Sequence, residues 1–155
     1  MMCVHCRVVA MPTNNAVLQK HLHVPTSRLD VFVSAMGGMR LQEPAADLAV
    51  MAALVSSYWD HPLPADTVFI GEVGLAGEVR PVPNIARRVQ ETIKLGFRRI
   101  VLPAQSSLKE SKIPAGVKIV RARSIAEAFA PFRPRKAGTM SAHAGEAHRS
   151  DAASI

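Results

Sequence analysis

Glycine and proline divide the middle of this chain into short segments that differ in the spacing of their apolar residues. An apolar run at residues 67–73 and a second run at 78–82 are separated by a connection that Gly74 and Gly77 bracket. Glycine supplies the backbone conformations that tight hairpin turns require, and strands of this length are typical of such hairpins. The pattern therefore predicts a β-hairpin, and this part of the chain is restricted to folds that contain an antiparallel strand pair.

The predicted hairpin is followed by a segment with the start and stop signals of a helix. Asn84 is placed as an N-cap, the helical pattern runs through Leu95, and Gly96 is placed as the C′ residue that ends it. An apolar strand at residues 99–102 comes next, and Pro103 stops it.

The remaining elements follow from the same rules. Pro44 is placed at the N1 position of an alanine- and valine-rich helix that runs to about Trp59 and is predicted to be central and buried. Further predicted elements are a helix at 16–24, a strand at 30–36 before Gly37 and Gly38, a strand at 117–120, and a helix that Ser124 caps and Pro131 ends. The predicted fold class is α+β, with a mixed sheet and packed helices.

Length and composition favour one domain with irregular ends. A chain of 155 residues can bury one substantial core. We predict a divergent N-terminal segment at 1–15, a domain at 16–131, and a disordered tail at 132–155, where bulky apolar residues almost vanish. No signal peptide is expected, and the longest apolar run, 48–55, is too short to span a bilayer, so the sequence predicts a cytoplasmic protein without a membrane partner.

The two cysteines of the chain do not form a framework of disulfides or zinc ligands. Cys3 and Cys6 have the spacing of half a zinc site, but no second Cys-x-x-Cys occurs in the sequence. A structural zinc needs four ligands, and His5, His21 and His23 would complete a set only by accident of folding. We predict no metal, no cofactor and a reducing compartment.

Basic residues outnumber acidic ones, with 19 Lys and Arg against 12 Asp and Glu and a formal net charge of +7. This balance favours polyanionic partners, with DNA as the first candidate. The candidate DNA-binding residues gather on and just after the helix predicted at 84–95, with one more in the hairpin: Arg80, Arg87, Arg88, Lys94, Arg98 and Arg99. Such contacts should be independent of base sequence and sensitive to salt. The alternative is that some of these side chains pair with acidic groups across a subunit interface.

Four segments carry a resemblance to a known family. In order, they are DVFVSAMGG (30–38), QEPAADLAV (42–50), GEVGLAGEVRPVP (71–83) and KLGFRRIVLP (94–103). They resemble the C-terminal Lon-protease-like domain of the RadA (Sms) family of bacterial DNA repair proteins. The resemblance implies the Lon proteolytic fold, which is similar to domain 2 of ribosomal protein S5, with a mixed sheet and packed helices.

Lon-type peptidases use a serine nucleophile and a lysine base, and the resemblance places both positions in this sequence. Against the Lon pattern Gly-Pro-Ser-Ala-Gly, the chain has alanine at the nucleophile position, Ala45, and the segment that would carry the lysine has Ala86. Two methyl groups neither attack a carbonyl nor carry a proton, so we predict a domain without peptidase activity. The alternative is a Lon-like peptidase with a different dyad; its candidates are Ser56, Ser57, Ser106, Ser107 and Ser111 with Lys109 and Lys112.

The resemblance also implies a setting for the domain. Members of the RadA family join a zinc module, a RecA-like ATPase and the Lon-like domain, and they drive branch migration of recombination intermediates as ring-shaped homo-oligomers. No Gly-x-x-x-x-Gly-Lys-Ser/Thr phosphate loop occurs in this sequence, so ATP hydrolysis by this polypeptide is not predicted. The chain is expected to hold subunits together and to contact DNA, with a free-standing interaction module as a further alternative.

Overall fold

The computed structural model describes residues 12–24, 43–108 and 113–134. The strand predicted at 30–36 lies outside these residues. Within them, helices occur together with parallel and antiparallel strand pairs, so the predicted α+β class is confirmed. No helix of this described part is long and apolar enough to cross a membrane.

Five strands and four helices make up the described fold. The strands are β1 (Thr67–Phe69), β2 (Glu72–Val73), β3 (Val79–Arg80), β4 (Arg99–Pro103) and β5 (Lys118–Ala122), and the helices are α1 (Pro12–Leu22), α2 (Asp47–Tyr58), α3 (Ile85–Lys94) and α4 (Ile125–Phe129). β4 lies between β1 and β5, and both of these pairs are parallel, whereas β2 and β3 form a separate antiparallel hairpin. Parallel neighbours require a crossover connection, and the hairpin and α3 provide the one between β1 and β4.

The main sheet is covered on both faces. Ile100 and Leu102 of β4 belong to one apolar cluster, which includes Val89 of α3. Val101, between them, belongs to a second cluster with residues of α1, α2 and α4, among them Phe129. Because successive residues of a strand point to opposite faces, α3 lies on one side of the sheet and the other three helices lie on the opposite side. This double burial explains why the sequence of β4 is apolar without alternation.

The helix predicted at 16–24 is confirmed, but α1 begins at Pro12 and ends at Leu22. Proline is well accepted in the first turn of a helix. The asparagines at positions 14 and 15 have low helix propensity, so the sequence shows no helical pattern of apolar residues at the start of α1. The predicted central helix is also confirmed: a 3₁₀ turn at Pro44–Ala46 leads into α2, whose Leu48, Met51 and Val55 are fully buried.

The single strand predicted at 67–73 is wrong. It divides into β1 and β2, which belong to different sheets. The break falls at Gly71, whose N–H donates to the carbonyl of Ala45 (3.0 Å) and whose carbonyl accepts from the N–H of Leu48 (3.1 Å). A Cβ atom at Gly71 would lie 2.9 Å from Cγ1 of Val79. The chain therefore leaves the main sheet here and forms hydrogen bonds with the start of α2. Glycine permits the close approach of the backbone to Val79. The predicted hairpin itself is confirmed, with shorter strands.

The two ends of α3 differ from each other in how well they were predicted. Asn84 occupies the N-cap position, but it is left-handed (φ 57°) and its side chain makes no capping hydrogen bond, so side-chain capping by Asn84 is wrong. Gly96 is confirmed as the C′ residue, with φ 91°. Its N–H donates to the backbone carbonyl of Ile93 (3.0 Å), and the N–H of Phe97 donates to the backbone carbonyl of Thr92 (3.3 Å). This pair of hydrogen bonds is the Schellman motif.

The carboxyl-terminal elements form as predicted, with one correction. β5 and α4 are present, and the hydroxyl of Ser124 accepts a hydrogen bond from the N–H of Glu127 (3.3 Å), so that cap is confirmed. Phe132, which we expected in the tail, instead ends a 3₁₀ turn and is buried against Phe69, with ring centroids 5.4 Å apart. The aromatic ring contributes too much apolar surface to remain in a solvated tail. Residues 135–155 lie outside the described part.

Candidate functional site

Ala45 lies buried between the start of α2 and the sheet. It is 5% exposed and belongs to the same apolar cluster as Ile70, Val82 and Ile85. The hydrogen bond from Gly71 to its carbonyl fixes the backbone at this position. A methyl group in these surroundings contributes packing and has no group that could react.

Ala86 differs from Ala45 in its surroundings, because it is exposed on α3. Its neighbour Ile85 enters the cluster that contains Ala45, so the fold does bring the two predicted dyad segments together. A lysine at an exposed position would keep its ordinary pKa and remain protonated at neutral pH. Neither position therefore offers a base or a nucleophile.

Arg88 joins the two segments. Its Nε donates to the carbonyl of Pro83 (3.0 Å), which belongs to the segment that contains Ala86. Its Nη2 lies 3.1 Å from Oε1 of Glu43, which belongs to the segment that contains Ala45. We call these three residues, Glu43, Pro83 and Arg88, the arginine tie. From the sequence, Arg88 is one of the candidate DNA-binding residues. Nothing in its local pattern indicates an internal role, because Glu43 is distant along the chain.

Asp47 makes a second contact near Ala45. Its Oδ2 accepts a hydrogen bond from the N–H of Val73 (3.4 Å), so it connects the first turn of α2 to β2. Burial raises the pKa of the Asp47 carboxyl, the hydrogen bond from Val73 opposes the rise, and the charge of Glu72 adds to it. The partly buried carboxylate therefore links the first turn of α2 to β2.

The described serines of the alternative dyad have no lysine partner among the described residues. The hydroxyl of Ser56 donates to the carbonyl of His61 (2.8 Å) at the end of α2. Ser106 is buried, and its hydroxyl has no hydrogen-bond partner within the described ranges. Ser57 and Ser107 are exposed, and the other three members of the alternative set, Lys109, Ser111 and Lys112, lie outside the described part.

The six DNA-binding candidates divide into two groups. Arg80 pairs with Glu72 and Glu78 within the hairpin, and Lys94 pairs with Glu91 (2.8 Å) along α3. Lys94 in turn lowers the pKa of the Glu91 carboxyl, through a hydrogen bond and through its charge. Together with Arg88, these cations already have acidic partners within the domain. Three candidates remain without an ion pair to any described residue: Arg87, Arg98 and Arg99.

Metal ligands do not gather in the described ranges, where no group of three or more His, Cys, Asp and Glu side chains could hold a metal ion. Cys3, His5 and Cys6 lie outside these ranges. His21 packs on the hairpin turn instead, where a Cβ at Gly77 would lie 2.9 Å from its ring, and its Nε2 is buried without a partner among the residues described.

The fold and these contacts define a small α+β domain, and the two positions predicted from the sequence for a catalytic dyad carry methyl groups. The chain belongs to the family described as subunit ChlI of Mg-chelatase, whose sequence model matches residues 11–106.

Similar proteins with established names are DNA repair proteins. The chain is 46% identical over 117 residues to DNA repair protein RadA of Salmonella typhimurium and 45% identical to that of Escherichia coli; each alignment covers 76% of this chain and 25% of the relative. It is 40% identical over 139 residues to DNA repair protein RadA of Mycobacterium tuberculosis, covering 86% of this chain and 28% of the relative. The resemblance to RadA is thereby confirmed, and the chain spans about a quarter of the length of these relatives.

Proposed function

We propose that this chain is a Lon-like domain of the RadA type that acts in DNA repair and recombination without peptidase activity. The observation that carries the proposal is the buried methyl group of Ala45, at the position predicted for a nucleophile, in a chain that is 40–46% identical to three DNA repair proteins named RadA. The proposed domain spans residues 16–131, and the buried Phe132 extends it by one residue. It holds subunits of a ring together and contacts DNA in the cytoplasm. A RecA-like ATPase supplies the energy for branch migration.

The arginine tie supports the absence of peptidase activity. A peptide substrate would have to reach the region between the two dyad segments, and Arg88 connects these segments through Glu43 and Pro83. Restoring the two side chains alone does not restore the chemistry, because a lysine base needs burial to lose its proton and position 86 is exposed.

A cleavage assay with fluorescently labelled casein tests this part of the proposal. We expect both the natural chain and the double variant Ala45→Ser/Ala86→Lys to release no more label than buffer does. Cleavage by the natural chain that is lost in Ser106→Ala or Ser107→Ala would contradict the proposal and establish the alternative peptidase.

A further inference from the structure

Register places several cations at the edge of the sheet where its parallel strands begin. Arg99 of β4 lies directly opposite Lys118 of β5 on one side and Thr67 of β1 on the other. Arg98 precedes this row, and its carbonyl accepts a hydrogen bond from the N–H of Lys118 (2.7 Å). Arg133 follows Phe132, whose ring lies 5.8 Å from the guanidinium carbon of Arg99. We call Arg98, Arg99, Lys118 and Arg133 the cationic edge.

The charges of the cationic edge are not neutralised within the described part of the chain. None of its four members takes part in the ion pairs found there, and Arg98, Lys118 and Arg133 are exposed. The segments that form this edge contain one carboxylate, Asp66, whose side chain contacts the hydroxyl of Thr67 (3.5 Å) and forms no ion pair with any described residue. The ring of Phe132 orients Arg99 and leaves its positive charge in place.

An arrangement of this kind is unfavourable for the isolated domain. Arg99 and Lys118 are register partners in the parallel pair of β4 and β5, and two cations held on adjacent strands repel each other. A polyanion with regularly spaced charges would relieve this repulsion and release its own counterions on binding.

We infer that the cationic edge is the surface through which this domain holds the phosphate backbone of duplex DNA. The inference rests on the proposed association with DNA and specifies its location. It moves the contact from α3, where Arg88 and Lys94 are already paired, to the beginning of the parallel strands. Lys118 was missed in the sequence because strand register brings it to Arg99, and Arg133 was missed because it follows Phe132, which packs beside Arg99 only in the tertiary fold.

Charge reversal at the edge provides the test. The variant Arg98→Glu/Lys118→Glu leaves the stacked Arg99 intact, and the control Lys20→Glu/Arg123→Glu makes the same change in net charge at two exposed cations that have no ion pair among the described residues. Binding of each full chain to a fluorescein-labelled duplex of arbitrary sequence is followed by anisotropy across a salt series. Far-UV circular dichroism compares the folds and sedimentation compares the oligomers.

We expect the edge variant to bind more weakly. The fall of log affinity with log salt should become shallower by about 2 units of slope, because each lost phosphate contact removes about one unit. The control should bind like the natural chain. Equal losses in both variants, a greater loss in Arg87→Glu, or dissociation of the oligomer with DNA binding unchanged would each overturn the inference and leave the proposed repair function standing. If the natural chain binds no DNA at low salt, the DNA-contact part of the proposed function fails as well.

Discussion

A single guanidinium connects the two segments that contain the predicted dyad positions, Ala45 and Ala86. Arg88 is suited to this role because its planar group presents several donors in fixed directions, so that one side chain reaches both a carbonyl and a carboxylate. The aliphatic part of the side chain adds contact area. At the scale of one residue, Arg88, which the sequence suggests for ligand binding, instead connects two segments of its own domain.

Replacement of Arg88 by alanine should lower the free energy of unfolding by about 1 kcal/mol, because a partly exposed ion pair and one charge-assisted hydrogen bond are lost together. The adjacent Arg87→Ala provides the matched control, since Arg87 lies on the same helix without an ion pair to any described residue, and it should change the stability by less than about 0.5 kcal/mol. Urea unfolding followed by circular dichroism measures both. Equal effects of the two substitutions would show that the arginine tie does not contribute to stability.

At the scale of elements, the junction between α1 and the hairpin depends on a glycine. Gly77 has φ 77°, and a Cβ atom there would lie 2.9 Å from both Cγ and Cδ2 of His21. Gly116 has a similar φ of 92°, with nothing within 4 Å of the corresponding position. The two glycines therefore share the backbone requirement and differ in the space available for a side chain.

Gly77→Ala should be more destabilising than Gly116→Ala. Both substitutions incur the cost of a left-handed alanine, about 1–2 kcal/mol, and Gly77→Ala adds the displacement of the His21 ring, about 1–3 kcal/mol. Thermal unfolding of the two variants measures the difference, and His21→Ala in the Gly77→Ala background should reduce it. If the two alanine variants unfold alike, α1 does not pack against the turn as described.

The elements that the sequence predicts well are those whose signals are local. Gly96 ends α3 as expected because the Schellman arrangement involves only neighbouring residues, and Ser124 caps α4 for the same reason. The break at Gly71 was not predicted because its cause is contact with Ala45, which lies far away in the sequence. The arginine tie was not predicted for this reason too, and neither were Lys118 and Arg133 of the cationic edge, since each depends on segments that only the tertiary fold brings together.

At the scale of the whole molecule, three large hydrophobic side chains of the described ranges are exposed, and two of them are leucines on different elements. Leu75, at the turn of the hairpin, is 70% exposed, and Leu95, at the end of α3, is 76% exposed. A ring is built from head-to-tail contacts between two different surfaces of each subunit. The proposed ring thus has a candidate residue for each of its two contact surfaces.

The chain should self-associate at micromolar concentration, and its weight-average sedimentation coefficient should rise with concentration. Leu75→Ser and Leu95→Ser should each reduce this association, because every head-to-tail contact uses both surfaces. Tyr58→Ser, which replaces another exposed apolar residue, at 43% exposure, serves as the comparison. A constant monomeric coefficient at all concentrations would exclude a scaffold role for the isolated chain.

The parallel pairing of β1 with β4 also affects how the domain is made. During synthesis, Thr67 leaves the ribosome well before Arg99, its partner in the sheet, whereas β2, β3 and α3 need only residues close to them. Local elements form early and distant pairings late, so the nascent chain carries β1 as an unpaired apolar segment until β4 has been released. Unpaired strand edges promote aggregation of incomplete chains. The emergence of residues 70–103 from the ribosome is therefore the interval in which β1 has no partner in the sheet.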